Sequence, residues 1–238
     1  MKLLVSVVDK TEALDSIKGG AHIIDVKNPK EGSLGANFPH VIRQIKEVVP
    51  KNLELSATIG DMPNLPGTAS LAALGAAASG VNYVKVGLYG TKNAKEATTL
   101  LTEVVRAVKD YDNKIKTIAS GYADFRTVGC VSPLELPEVA YKAEADGVLV
   151  DVKTKNGKDN LFSFLTDKEL ERFVTQAHNA NLLAALAGSL ESKDISRVNS
   201  LGADILGVRG AVCAKKDRVS GKLETQKVLA FATELANL

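Results

Sequence analysis

An aspartate and a lysine two residues apart follow a short apolar stretch early in the chain. Asp25 and Lys27 come after His22-Ile23-Ile24, and a glycine-containing loop over residues 32–35 comes next. Because side chains alternate along a strand, both groups are expected on the same face. A desolvated lysine amine loses its proton easily and can attack an aldehyde or ketone to form a Schiff base. Taken alone, the stretch favours a structural ion pair, which would perturb the same groups.

Other ionisable side chains occupy comparable positions further along the chain. Lys85 lies between two valines in the run YVKVGL, and Asp151 is followed by Lys153 and Lys155. A lysine inside an apolar strand is rarely buried without a partner, so a salt bridge to Asp25 or Asp151 is one interpretation of Lys85. The convergence of several lysines favours a catalytic interpretation instead. On a polar loop, Lys153 and Lys155 are weaker candidates when taken alone.

Glycine turns follow two late strands. Gly188-Ser189 comes after one apolar run, and Arg209-Gly210 comes after the next. In α/β barrels the loops after strands seven and eight often bind phosphate through backbone N–H groups, and an arginine would add a charge-assisted contact. The paired placement favours a phosphate site over two ordinary turns.

The elements that must position these groups alternate along the whole chain. Strands are predicted over residues 3–8, 22–27, 53–59, 83–88, 115–120, 147–152, 182–187 and 205–208, and helices follow each of them. The helices are expected over 9–19, 38–49, 70–79, 94–111, a proline-broken segment that ends near 145, 167–179, 193–201 and 223–235. Eight such units predict one (β/α)8 TIM barrel over residues 1–238. An open doubly wound sheet is the alternative, but no G-x-G-x-x-G follows the first strand.

Composition excludes several classes of function. The formal net charge is +2 and no Lys/Arg block stands out, so no nucleic-acid partner is expected. Two cysteines do not make a disulfide framework, and no apolar run is long enough for a membrane span or a signal peptide, so a cytoplasmic protein is expected. Three histidines without metal-ligand spacing predict no metal, and no other cofactor is expected.

Several runs resemble a known family. IIDVKNPKEGSLGANFP, SATIGDMP, PGTASLAALGAA, YVKVGLYG, ALAGSL and GADILGVRGAVC resemble the (5-formylfuran-3-yl)methyl phosphate synthase family over nearly the whole chain. The resemblance implies a metal-free TIM barrel that condenses two glyceraldehyde 3-phosphate molecules, with loss of phosphate and water, in the synthesis of methanofuran-type cofactors.

The same resemblance assigns roles to residues. It implies that Lys27 forms the Schiff base, that Lys85 transfers protons, and that Asp25 and Asp151 are essential carboxylates. A further family lysine matches Lys155, and Lys153 is a second candidate beside it. The phosphate-binding interpretation of residues 188–189 and 209–210 comes from the barrel pattern and not from the resemblance.

Two other functions remain open. A Schiff-base aldolase would use the same lysine on another phosphorylated carbonyl compound, and a non-catalytic phosphosugar-binding barrel would use only the phosphate site. In each case the expected partner is a small phosphorylated molecule. The Gly/Ala-rich segment 69–80 would suit either a homo-oligomer contact or packing on its own barrel.

Overall fold

Eight parallel strands close into a barrel in chain order, each paired with its neighbours and β8 paired with β1. The structure is a computed structural model and describes residues 1–238. The strands are β1 (Lys2–Val7), β2 (Ile23–Val26), β3 (Glu54–Asp61), β4 (Tyr83–Gly87), β5 (Lys116–Tyr122), β6 (Gly147–Asp151), β7 (Leu183–Leu186) and β8 (Ile205–Val208). The predicted (β/α)8 barrel is confirmed.

Helices surround the barrel. They are α1 (Lys10–Lys18), α2 (Pro39–Lys46), α3 (Pro66–Ala77), α4 (Ala94–Tyr111), α5 (Phe125–Val128), α6 (Leu136–Lys142), α7 (Asp167–Asn179), α8 (Ile195–Ser200) and α9 (Thr225–Ala236). Asp9 caps α1, because its side chain accepts a hydrogen bond from the Glu12 N–H at 2.9 Å. None of the helices combines the length and apolar character that a bilayer span requires.

Two strands run further than the sequence predicts. β3 continues to Asp61 and β5 to Tyr122, although the glycines at 60 and 121 predict earlier ends. A Cβ on Gly121 would lie 2.7 Å from a methyl of Leu136, so this glycine allows α6 to approach the sheet closely. The extensions matter because they bring Asp61 and Tyr122 to the mouth of the barrel.

Helix boundaries also differ in places. α3 begins at Pro66, before the predicted start at 70, because proline is well suited to the first turn of a helix. The fifth crossover is broken as expected: a 3-10 turn begins at Pro133, and α6 has a proline in its first turn. The final helix begins at Thr225, two residues later than predicted.

The barrel interior is divided into an apolar floor and a charged layer. The floor is made of inward-pointing side chains, namely Leu4, Ile23, Tyr83, Ile118, Leu149, Ala185, Ala187 and Ile205. Further toward the mouth, β1 contributes Ser6, β2 contributes Asp25 and β4 contributes Lys85, all buried. Side chains at alternate positions, such as Val84 and Val86, lie in the separate core under the helices. The floor therefore separates the charged layer from water on one side.

Helix α3 packs against α4, β3 and β4. Its outer face exposes Leu71, whose side chain is 72% exposed, together with part of Leu74. Packing on its own barrel thus accounts for one face of the Gly/Ala-rich segment, and the homo-oligomer remains a prediction.

Candidate active site

The deepest polar pair joins β2 to β4. Lys85 Nζ lies 2.8 Å from Asp25 Oδ1, and the hydroxyls of Ser56 and Ser6 donate to the same carboxylate at 2.8 and 2.9 Å. Burial alone would raise the pKa of Asp25, but the positive charges of Lys85 and Lys27 lower it. The carboxylate is therefore ionised and fixed by three donors, which holds the Lys85 amine in one orientation.

A second carboxylate, Asp151, lies at the end of β6. Lys155 Nζ is 2.5 Å from Asp151 Oδ1, and the Val152 N–H donates to the same oxygen at 2.7 Å. Lys27 Nζ is 4.0 Å from Asp151 Oδ2. Although burial acts to raise the pKa of Asp151, the charges of Lys155 and Lys27 hold it well below its usual range. The carboxylate thus links two of the candidate lysines.

Lys27 has the most perturbed amine of the site. Its side chain is almost fully buried, and burial lowers the pKa of Lys27 to about 7. Asp151 and Asp25 oppose that shift, whereas the positive charges of Lys85 and Arg218 add to it. The charge balance of the layer agrees with this result, because two carboxylates already have two other lysines as partners. Near neutral pH the Lys27 amine is available as a nucleophile.

A cavity of about 550 Å³ lies next to these groups at the mouth of the barrel. Its lining includes Lys27, Lys85, Asp151 and Lys155, together with Gly188, Ser189 and Gly210 from the loops after β7 and β8. A cavity of this size is typical of small-molecule sites. The structure therefore brings four of the five predicted catalytic residues to one cavity, and the fifth, Asp25, lies directly beneath them.

The loops after β7 and β8 present free backbone donors to this cavity. The N–H groups of residues 188–190 donate no hydrogen bond within the protein, and those of residues 210–211 begin a 3-10 turn and have no partner within that turn. Gly188 and Ser189 have φ values of 113° and 56°, so two successive residues adopt a conformation that favours glycine. Successive free N–H groups form a concave site for an anion. This geometry agrees with the predicted phosphate contacts of Gly188, Ser189 and Gly210.

Arg209 differs from the expectation. Its guanidinium is buried and donates to Glu12 Oε2 at 2.8 Å and to the Ser6 carbonyl at 2.9 Å. Its Nε donates to the carbonyl of Arg218 at 2.7 Å. Acceptors of the protein already occupy these donors, so the geometry gives Arg209 a structural role. The residue also lines the cavity, and its phosphate contact stays a prediction.

Lys153 lies outside the lining of the cavity. Its Nζ is 3.2 Å from Asp61 Oδ2 and 4.8 Å from the centre of the Tyr89 ring, and it is not part of the cavity lining. Of the two lysines after β6, Lys155 is the one that contacts Asp151.

Two residues with clear roles in this architecture were missed. Asp61 accepts hydrogen bonds from the N–H groups of Ser33 and Leu34 at 2.9 and 3.1 Å, and from the Tyr122 hydroxyl. It therefore fixes the glycine-containing loop over the cavity, and its position at a strand end was a usable signal. Arg218 lines the cavity from the loop after β8, but it lies well beyond the end of that strand, so its position in the sequence carries no such signal.

Comparisons with known proteins agree with the resemblance found in the sequence. The profile of a family described as 4-HFC-P synthase matches residues 3–232. A (5-formylfuran-3-yl)methyl phosphate synthase from Methanopyrus kandleri is 52% identical over 235 residues, which cover 99% of each chain. The enzyme of the same name from Archaeoglobus fulgidus is 54% identical over 214 residues, 90% of this chain and 91% of the relative.

Solved structures share the fold at low sequence identity. KGPDC from Streptococcus mutans has a TM-score of 0.68 at 11% identity and covers 99% of this chain and 97% of its own. Phosphoribosyl anthranilate isomerase from Thermus thermophilus has a TM-score of 0.65 at 14% identity, with 100% and 99% covered. At these identities the likeness is evidence for the barrel alone.

Proposed function

The chain belongs to the (5-formylfuran-3-yl)methyl phosphate synthase family, and we propose that it makes that furan phosphate from two molecules of glyceraldehyde 3-phosphate. The atoms balance when one phosphate and two water molecules leave. The reaction class is a carbon–oxygen lyase acting on phosphates, and the product serves methanofuran-type cofactor synthesis. No cofactor takes part in the proposed reaction.

The observation that carries the proposal is the buried Lys27 amine, whose pKa burial lowers to about 7. An amine that is uncharged near neutral pH can attack the aldehyde of one triose phosphate and release water as the imine forms. Asp151, 4.0 Å away, is close enough to stabilise the iminium charge. The imine makes the neighbouring carbon acidic, which is the condition for carbon–carbon bond formation.

Lys85 is the proposed proton-transfer residue. Asp25 and the two serines that donate to it hold the Lys85 amine inside the charged layer. From there it moves the proton that converts the imine into the enamine, whose carbon then attacks the second aldehyde. Lys155, whose Nζ lies 2.5 Å from Asp151 Oδ1 and is held by that carboxylate, transfers protons during phosphate elimination, dehydration and ring closure.

The free N–H groups of residues 188–190 and 210–211 bind one of the two phosphates in this proposal. That contact directs the reacting aldehyde toward Lys27. Such contacts hold the reacting atoms at bonding range, which accounts for part of the rate enhancement.

Borohydride trapping with glyceraldehyde 3-phosphate, followed by peptide mass spectrometry, tests the proposal. We expect a reduced adduct on Lys27 and an ultraviolet spectrum of a furan aldehyde in the product. K27A should lose both, whereas K30A, at an exposed lysine of the next turn, should retain both. Full turnover by K27A would refute the imine scheme.

The same experiment separates the two alternative functions. An aldolase would give the Lys27 adduct but a linear product without furan absorbance, and a phosphosugar-binding protein would give no adduct. Cytoplasmic location, a small phosphorylated molecule as substrate, no nucleic-acid or membrane partner, and homo-oligomer formation remain parts of the proposal.

A further inference from the structure

The cations that line the cavity differ in one respect, namely whether a carboxylate compensates them. Lys27 and Lys155 share Asp151, Lys85 pairs with Asp25, Arg209 with Glu12, and Lys193 and Lys216 with Glu191. Arg218 forms no ion pair, and neither does Lys158, which is exposed to water on its loop. Arg218 is therefore the partly buried cation of the cavity that forms no ion pair, although Asp151 and Asp61 act on its charge at longer range, and such a cation favours a bound anion.

Only some of the hydrogen-bond donors of the Arg218 guanidinium have acceptors in the protein. Its Nη2 donates to the carbonyls of Gly32 and Ser33 at 3.2 and 3.3 Å. Its Nε and Nη1 donate to no acceptor of the protein, although the residue lines the cavity. These two nitrogens lie on different edges of the guanidinium, so each of them offers a separate charge-assisted donor to a phosphate oxygen.

The loop that carries Arg218 is held by several specific contacts. The buried Arg209 donates from its Nε to the Arg218 carbonyl at 2.7 Å, and Asp217 accepts from two backbone N–H groups within the loop. Lys215 and Lys216 have φ values of 54° and 56°, a conformation that costs roughly 1 kcal/mol for each non-glycine residue. The surrounding contacts maintain this strained backbone, which is a common feature of functional sites.

We infer that Arg218 is a substrate-binding residue that takes the second phosphate, the one not bound by the N–H groups of residues 188–190 and 210–211. This inference rests on the proposed function, because that reaction brings two phosphorylated trioses into one cavity. Glu12 and Arg209 are positioning residues in it: the buried Glu12–Arg209 pair holds the Arg218 backbone in place.

The charge of Arg218 also acts on the nucleophile. It is one of the positive charges that lower the pKa of Lys27, after burial and alongside Lys85. Loss of this charge should therefore shift the pH dependence of imine formation toward higher pH. A residue that only stabilised the loop would weaken the protein without moving this profile.

The test compares R218Q and R218K with R172Q, a control at an exposed arginine of α7. Inorganic phosphate is titrated into each protein by calorimetry, and we expect two sites in the wild type and in R172Q but one in R218Q. In turnover assays R218Q should have a KM for glyceraldehyde 3-phosphate raised about 10- to 100-fold, as expected for a lost charge-assisted contact. Trapping of the first triose on Lys27 should persist, with its pH profile moved upward.

Each outcome decides the inference. Two phosphate sites in R218Q, an unchanged KM or an unshifted pH profile would overturn it, and so would loss of the Lys27 adduct in folded R218Q. If R218Q does not fold, R218K keeps the charge but loses the Nε and Nη1 donors, and phosphate affinity equal to the wild type would overturn the inference. If the wild type makes no furan, the proposed function fails, and the phosphate titration still decides whether Arg218 binds an anion.

Discussion

Replacing Lys27 by methionine should change the pH dependence of stability. In the folded protein burial lowers the pKa of Lys27 from its ordinary 10.5 to about 7. Such a shift corresponds to about 5 kcal/mol of unfavourable free energy for the charged amine in the folded state. Methionine has a similar length and no charge, so K27M removes this contribution. Asp151 already pairs with Lys155 at 2.5 Å in the wild type, so K27M leaves no carboxylate without a partner.

The sign of the effect follows from where the proton resides. At pH 6 the Lys27 amine is charged in both the folded and the unfolded protein. The folded wild type therefore carries nearly all of the unfavourable free energy of a buried charge. Between pH 7 and pH 10.5 the unfolded chain binds the proton and the folded protein does not, so the stability contributed by this site rises with pH. From pH 6 to pH 9 the wild type should gain about 2–3 kcal/mol in free energy of unfolding relative to K27M.

Urea unfolding of both proteins at pH 6 and pH 9 measures this difference. K30M is the matched control: Lys30 is exposed, so its ammonium is solvated in both states and the variant should differ from the wild type equally at the two pH values. A difference between wild type and K27M that does not change with pH would refute the reasoning. It would mean that the Lys27 amine keeps its proton in the folded protein, and the nucleophile of the proposed mechanism would be lost.

Four further substitutions test other contacts. D25N leaves Lys85 buried without a carboxylate and should lower the free energy of unfolding by about 3–5 kcal/mol, measured in urea, with loss of furan formation. D61A removes the acceptor for two N–H groups of the glycine-containing loop, so hydrogen exchange there should accelerate about tenfold or more while the circular dichroism spectrum stays unchanged. G87A would place a Cβ 2.2 Å from a buried tyrosine hydroxyl and should lower the free energy of unfolding by about 1–3 kcal/mol. G75A, in a helix where nothing lies within 4 Å, should instead raise it by about 0.5–1 kcal/mol; equal effects would contradict the packing account.

The barrel could be predicted because each strand is a continuous apolar run that is buried on both faces. The positions at which the strands end are harder to predict from the sequence. The glycines at 60 and 121 look like strand ends, although one of them is required by the close approach of α6. A glycine that ends a strand and a glycine that admits a neighbour look the same in the sequence, since the difference lies in a contact that is distant along the chain.

Much of the candidate site could be predicted for a similar reason. Alternation along a strand decides which side chains point inward, so the sequence alone assigns Asp25, Lys27 and Lys85 to the interior of the barrel. Alternation ends with the strand at Asp151, and beyond it the loop has no period. The choice between the two lysines that follow therefore depends on loop geometry, which brings Lys155 and not Lys153 to Asp151.

The two arginines after β8 show where local reasoning must fail. Arg209 occupies the strand-end position that usually binds phosphate, and Arg218 occupies an undistinguished position in a loop. What separates them is Glu12, which lies in the first turn of α1 at the other end of the chain and neutralises Arg209 inside the core. A guanidinium with a buried carboxylate partner has little left to offer an anion, whereas an uncompensated one attracts it. The residue that binds a substrate charge is thus identified by the absence of a partner, and the partner can be assigned only when the whole barrel has closed.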